Sequence, residues 1–521
     1  MRTKNSAGTR DTIWARGVAA ALVLLALAVT ALVAQEVPRQ LTLDEAIRLA
    51  RDYNPTFQST ANDRPAADWR AREAYSAFLP RVSATGSAGW LQGGQQYVGS
   101  IVLDQAAGTD FYQSYYSLSA NWTLDGNTIF GVPAARANQK AVDARISAAE
   151  FNLDSQVTLQ YMAVLRAQDG VDVAQRQVDR AQQNRRIVET RVSSGAAAGT
   201  EGRQAEIDLG RAEVALIQAR RQFRESLALL AEQLGVALDE DTQLSSEFKV
   251  FEPKWTRDQL MAIALSSHPS LRASKLQERA ASAAAKQAAS QYFPSFTLST
   301  SLRGFAQEAT NRDFVVATAQ RDAANTVTAC QRNNAIAEAM PSYPFSDNAP
   351  MGNCGAYQYS DQLGQAYLDQ NNVFPFKFNK LPVSVTLSAS IPIFTGFSRQ
   401  RQLSEANNAA EDAKYNVRAE ELRLRTAVTQ AFDNLRAAYE AVQIEERNQS
   451  LAEEQLRMQQ RRYGLGAAGM LELLDAQTTV STADQAYLNA LYDFHLNLIR
   501  LEAAVGQPLR DGQPAAGSPD A

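Results

Sequence analysis

The side chains most often used for chemistry are scarce in this chain: two cysteines, Cys330 and Cys354, and two histidines, His268 and His495, among 521 residues. That is too little for a zinc cluster, a Cys/His nucleophile or a Ser-His-Asp triad. His268 stands directly before Pro269, where a turn or capping role suits an imidazole. His495 lies among Leu491, Leu496 and Leu498 on a helical pattern, which suits packing. No phosphate-binding glycine loop, HExxH, CxxC, EF-hand loop or nucleophile elbow is present, so the chain is expected to be neither an enzyme nor a cofactor or metal carrier. With 51 Lys and Arg against 56 Asp and Glu, and no basic block, nucleic acid is not an expected partner.

The compartment sets what the cysteines can do. Arg2, Lys4, Arg10 and Arg16 precede the apolar run 17–34, which has the form of a secretory signal peptide covering residues 1–34. An exported chain meets an oxidising environment, where one Cys330–Cys354 disulfide is the natural pairing and two free thiols are the alternative.

The elements that position these residues are written twice. LDEAIRLARDYNP at 43–55 is echoed by RDQLMAIALSSHP at 257–269. Farther on, one constant spacing carries Arg191, Gly195, Glu201, Ala205, Leu227 and Gly235 onto Arg462, Gly466, Glu472, Ala476, Leu498 and Gly506. The expected organisation is a first repeat over 35–256, a second over 257–506 with an insertion at about 306–381, and a disordered tail over 507–521. Each repeat is predicted to hold a helix (43–77 and 257–291), two strands, and a hairpin of two long helices (132–193 with 200–235, and 400–463 with 470–506). About sixty helical residues extend roughly 90 Å at ~1.5 Å each, so these are rods with a glycine-containing tip. The insertion is rich in Asn, Gln, Ser, Tyr and Asp and is expected to be a long loop.

The strands alternate. In Tyr116–Leu124, Tyr116, Leu118, Ala120, Trp122 and Leu124 face one way and Ser117, Ser119, Asn121 and Thr123 the other. Segments 82–90, 296–302 and 383–393 repeat the pattern. A Ser/Thr face opposite an apolar one, with Trp90, Trp122 and Tyr116 as an aromatic girdle, fits a lipid-facing barrel wall better than a soluble sandwich. Four strands cannot close a barrel and open edges are not tolerated in lipid, so closure requires several identical chains.

The order of these phrases, with IPIFTGF at 391–397 and RYGLGAAGMLELLDAQ at 462–477, resembles the TolC family of outer-membrane efflux channels. The resemblance implies a membrane β-barrel joined to a long α-helical coiled-coil barrel, internally duplicated, with four strands per chain and a homotrimer closing the barrel. It implies an outer-membrane location in a Gram-negative envelope with a periplasmic extension, and a periplasmic adaptor and inner-membrane pump as partners. The implied function is a passive exit channel for small molecules such as drugs and toxic compounds. Alternatives are the exit duct of a type I protein secretion system, or a periplasmic coiled-coil adaptor or scaffold without a pore. The resemblance places Glu201, Glu472 and Asp475 at the periplasmic constriction, with Gln204 where a second acid would repeat. It also makes Tyr463 a residue that holds the entrance shut, with Ala468 in place of the family's basic partner. Gly195 and Gly466 fall at the tips that meet the adaptor, with plain glycine turns as the alternative.

Overall fold

The computed structural model describes residues 40–93, 96–98, 101–103, 109–246 and 248–509. The leader expected at 1–34 lies outside the described residues, as does 510–521 of the expected tail; the tail's start departs from the expectation, because Leu509 is buried in the apolar interior with its N–H on Glu502 Oε1. In chain order the elements are β1 (Gln40–Leu41), α1 (Leu43–Tyr53), α2 (Pro55–Ala61), α3 (Asp63–Ser76), β2 (Arg81–Leu91), β3 (Gln96–Val98), β4 (Ile101–Leu103), β5 (Phe111–Leu124), α4 (Gly126–Ser193) and α5 (Gly199–Leu234). Then follow β6 (Gln243–Leu244), α6 (Arg257–Ser267), α7 (Pro269–Ala289), β7 (Ser295–Ala309), α8 (Arg312–Ala339), α9 (Asp361–Asn371), β8 (Asn379–Lys380), β9 (Ser384–Ser390), α10 (Ser398–Gly464) and α11 (Met470–Val505). No described helix is long and apolar enough to cross a membrane.

Two compact units emerge, and they cut across the two sequence repeats. One holds described residues of the stretches up to 66, 140–278 and from 413 on; the other holds 67–139 and 279–412. Each unit therefore takes one portion of both repeats.

The first unit is helical. Its apolar interior is centred on Tyr161, Leu230 and Leu234 in one region and on Leu260, Phe494 and Leu501 in another. Tyr161 donates its hydroxyl to the Leu41 carbonyl at 2.8 Å, which fixes the parallel β1–β6 pair against α4. The two proline steps are capped alike. Asn54 accepts from Phe57 N and donates to Gln233 O near the end of α5. His268 accepts from Ser270 N through Nδ1, and its Nε2 meets Ala503 O near the end of α11 at 3.0 Å. Burial holds the His268 imidazole below its usual pKa, consistent with a neutral ring bonding through both nitrogens.

Antiparallel contacts stitch α4 to α11. Arg166 reaches Asn489 at 2.7 Å, Asp169 accepts from Tyr492, and Arg180 meets Asp484 at 2.5 Å. Asp484 is only 2% exposed, and its second oxygen accepts from Gln449 of α10 at 2.8 Å.

In the second unit the main sheet runs β2-β5-β7 antiparallel, with β9 and the short β8 both pairing β7. The register matches faces across strands. Val82 and Ala84 lie opposite Ala120 and Leu118; Leu118 and Trp122 lie opposite Leu302 and Leu298; Leu298 lies opposite Leu387. The other face is a hydroxyl ladder, with Ser83 on Ser119 and Ser301 on Ser384, each at 2.9 Å. Both faces of β2 and β9 are exposed along their full lengths.

The insertion departs from the loop expected of its composition. Strand β7 continues to Ala309, so the insertion begins later than residue 306, and most of 312–339 and 361–371 is helical. The physical reason is local. Asn311 caps α8 by accepting from Asp313 N and Phe314 N, Ser360 caps α9 by accepting from Leu363 N, and Val315, Ala319, Ala323 and Cys330 supply a buried stripe. Cys330 and Cys354 form a disulfide, and Asn334 bonds both the nitrogen and the carbonyl of Gly352 beside it. Tyr116 also departs from its expected place at a strand end. Strand β5 begins at Phe111, which puts Tyr116 inside the strand, opposite Gly304 and edge-on to Phe378 at 4.8 Å. Trp90 and Trp122 do lie toward opposite ends of the sheet, Trp90 paired with Tyr112 and Trp122 donating its indole N–H to Phe78 O.

Removing one partner of a buried ion pair is costly because the other is left desolvated. Asp484→Ala is expected to destabilise the chain by about 3 kcal/mol, read as a lower thermal midpoint in circular dichroism. The double substitution Asp484→Leu/Arg180→Met should recover most of that loss, and equal losses in the two variants would count against the buried pair.

Candidate functional site

The tips of the two helical hairpins are built on the same turn. After α4, Gly195 takes φ 76° and Ala196 N returns to Arg191 O; after α10, Gly466 takes φ 77° and Ala467 N returns to Arg462 O. Only glycine enters that left-handed region without strain, and the bonds satisfy carbonyls that the helix end leaves open. Arg191 and Arg462 reinforce the turns in the same way, through Ala196 O at 2.9 Å and Ala467 O at 3.3 Å.

From that shared base the tips diverge first at Tyr463, which stands where the first hairpin has Val192. Tyr463 of α10, 1% exposed, donates its hydroxyl to Glu201 Oε2 of α5 at 2.6 Å. Arg191 crosses from the first hairpin to the Tyr463 carbonyl at 2.6 Å, with its guanidinium 4.3 Å from the centre of the Tyr463 ring. Burial first, and then the Glu201 carboxylate, push the Tyr463 hydroxyl up to about 12, so it stays a donor throughout the physiological range. Beneath this clasp Val188, Ala205, Leu456, Leu473, Ala476 and Val480 form one apolar cluster.

The expected constriction residues are thus only partly brought together. Glu201 and Tyr463 meet directly. Glu472 instead lies 3.6 Å from Arg462 of its own hairpin, both half-exposed, and Asp475 is exposed with no bonded side chain among the described residues. Ala468, in place of the family's basic partner, packs against the apolar cluster, and Arg191 brings a positive charge to Tyr463 from the other hairpin. The repeat alignment placed Arg191 opposite Arg462 but gave no sign that Arg191 would reach across, because that depends on how the hairpins meet.

Other residues of the site escaped the sequence reading. Leu465 and Leu471 flank the second tip at 86% and 80% exposure, where the first tip has Ser194 and Thr200. Two large aliphatic side chains held out in water beside a tight turn were visible in the sequence as a departure from the repeat. Asp484 was visible too, as one acid on a stripe of Val480, Ala483 and Leu488. No group of three or more His, Cys, Asp or Glu among the described residues is arranged to hold a metal ion.

Comparison with known proteins follows from this architecture. Residues 46–236 and 367–507 match the family model described as outer membrane efflux protein. The chain belongs to the outer membrane efflux protein family. Among curated proteins it is similar to the outer membrane protein TolC of Vibrio cholerae, 22% identical over 467 residues that cover 89% of this chain and 90% of that one. Among solved structures it is similar to the outer membrane protein VceC of Vibrio cholerae, at TM-score 0.65 and 16% identity over 90% of this chain and 97% of the other. It is likewise similar to the MtrE outer membrane channel of Neisseria gonorrhoeae, at TM-score 0.63 and 18% identity over 90% of each. Membership gives this efflux protein an outer-membrane location and the general function of an outer-membrane efflux channel.

The efflux protein also carries a buried histidine with a pH consequence. His495, 4% exposed, is flanked by Phe248 and Phe494 at ring distances of 5.7 and 5.3 Å, and burial holds its imidazole down to about 4 against an ordinary 6.5. The folded value is depressed, so the unfolded chain takes the proton first. The stability that the neutral ring permits is complete above pH 6.5 and is lost as pH falls toward 4. His495→Phe should flatten this window: between pH 6.5 and 4 the thermal midpoint of the wild type should fall by several degrees more than that of the variant.

Proposed function

We propose that the chain is the passive exit duct of a tripartite export system, carrying small molecules such as drugs and toxic compounds across the outer membrane. In this reading three copies pair their sheets edge to edge, β2 of one against β9 of the next, into a barrel whose apolar face meets lipid and whose hydroxyl face lines the lumen. Trp90 and Trp122, toward opposite ends of the sheet, are the girdle. The sequence repeats 35–256 and 257–506 each supply one strand pair and one hairpin. The observation that carries the reading is the two-faced sheet: a matched apolar face left exposed beside a continuous hydroxyl ladder.

The hairpin tips are the periplasmic entrance. Glu472 and Asp475 face the pore and attract cations; Tyr463 with Glu201 and Arg191 is the clasp that holds each pair of hairpins in the resting position. A hydrogen bond to a charged group contributes about 1.5–3 kcal/mol, so one clasp per chain is a moderate restraint that a docking partner can overcome. The periplasmic adaptor docks on the tips, with Gly195 and Gly466 shaping the turns and Leu465 and Leu471 giving apolar anchors on the second. An inner-membrane pump provides the energy.

Planar-bilayer conductance of the detergent-extracted oligomer tests the duct. Small, cation-selective pores are expected; Glu472→Gln/Asp475→Asn should lose most of the selectivity, and Tyr463→Phe should raise the conductance or the open fraction several-fold. An intact oligomer that never forms pores would sink the duct reading. Leu465→Glu should reduce crosslinking to the adaptor and drug resistance at least about fivefold with conductance unchanged; unaltered crosslinking would remove the tip from the adaptor contact.

A further inference from the structure

A second site lies on the same pair of helices, well away from the tips. Asp169 precedes Arg191 by 22 residues of α4, roughly 33 Å at about 1.5 Å per residue. Here α4, α11 and residues 244–246 with 248 and 249 enclose a half-open cleft of about 490 Å³. Leu165, Phe248 and Leu491 give it apolar walls, Asp169, Tyr492 and His495 its polar side, and exposed Lys249 its rim.

Two polar groups of this cleft are incompletely satisfied. Asp169 takes the Tyr492 hydroxyl on Oδ2 at 2.5 Å, but no described side chain bonds Oδ1 and no cation is in contact with the carboxylate. His495 Nε2, in the wall, is closed off from solvent and has no hydrogen-bond partner. A partly desolvated carboxylate with no cation in contact costs free energy, so Asp169 Oδ1 calls for a donor that no described side chain supplies, Arg176 acting on the group only at longer range. Gln168 cannot serve, because its amide is engaged by both the nitrogen and the carbonyl of Leu244. Burial pushes the Asp169 carboxyl up and Asp172 adds to this, while the Tyr492 hydroxyl and Arg176 pull it back down.

We propose that this cleft binds a primary amine in its ammonium form on an apolar body, with the ammonium on Asp169 and the body between Phe248 and Leu491. An ammonium brings the missing charge together with three donors, and the aromatic rings of Phe248 and Tyr492 favour a cation nearby. A carboxylate or phosphate ligand would meet Asp169 with like charge. This site is independent of the duct and its entrance.

Isothermal titration of the purified full-length oligomer in nanodiscs with phenethylammonium tests the proposal, with uncharged 2-phenylethanol as the control. Saturable binding at one site per chain is expected, with the alcohol at least roughly tenfold weaker. Asp169→Asn should weaken phenethylammonium by at least about tenfold and leave the alcohol unchanged. Lys249→Glu, at an exposed rim position, should tighten phenethylammonium about threefold at low salt, a gain that misfolding cannot imitate. Absence of saturable binding, equal affinity for amine and alcohol, or indifference to both substitutions would each overturn the proposal.

Discussion

The antiparallel seam between α4 and α11 is the contact on which the rest of the helical unit depends. Two rods with apolar stripes of small residues could slide by a turn at little hydrophobic cost, because alanine looks alike at every level. Polar contacts remove that freedom. Asp484, buried with Arg180 on one oxygen and Gln449 on the other, has one position at which both its bonds form. Arg166 on Asn489 and Tyr492 on Asp169 repeat the constraint farther along. A buried ion pair contributes little net stability against an apolar replacement, but it strongly penalises wrong registers. Once this register is set, Arg191 arrives beside Tyr463 and Asp169 beside Tyr492.

The two hairpins share their turn geometry and differ in chemistry. Gly195 and Gly466, each with an arginine closing the turn, are nearly superposable solutions to the same problem of ending a long helix. Val192 stands in the first hairpin where Tyr463 stands in the second, and Ser194 where Leu465 stands. A phenol that reaches the opposite hairpin can be provided by only one of the two. The asymmetry gives each chain one Tyr463–Glu201 contact and leaves the exposed Leu465 and Leu471 on one tip.

The sheet follows a different rule. Antiparallel pairing puts directly opposite residues on the same face, so a period of two in each strand becomes two continuous surfaces only when the registers agree. They do agree here: Leu118 faces Ala84 and Leu302, while Ser119 faces Ser83 and Ser301. Water on both sides would leave the apolar face without a solvent that suits it, which is why the proposed barrel places lipid there.

Much of this was legible in the residues. Alternation in Tyr116–Leu124 and its relatives determined the two faces, the constant spacing of Arg191, Gly195 and Glu201 with Arg462, Gly466 and Glu472 located both tips, and the Asn54 and His268 steps before proline marked two caps. These are local or periodic properties, set by backbone geometry within a few residues. Composition points to a loop over about 306–381, yet 312–339 and 361–371 are helical, since Asn311 and Ser360 act as helix caps only in the right backbone setting, and Tyr116 falls inside its strand because the Phe111 start of β5 depends on pairing with β7. The partners of Tyr463, the burial of Asp484, and the meeting of Asp169 with Tyr492 were decided by tertiary structure alone. Each joins residues far apart in the chain, and their contact depends on the register of helices that no short-range pattern encodes.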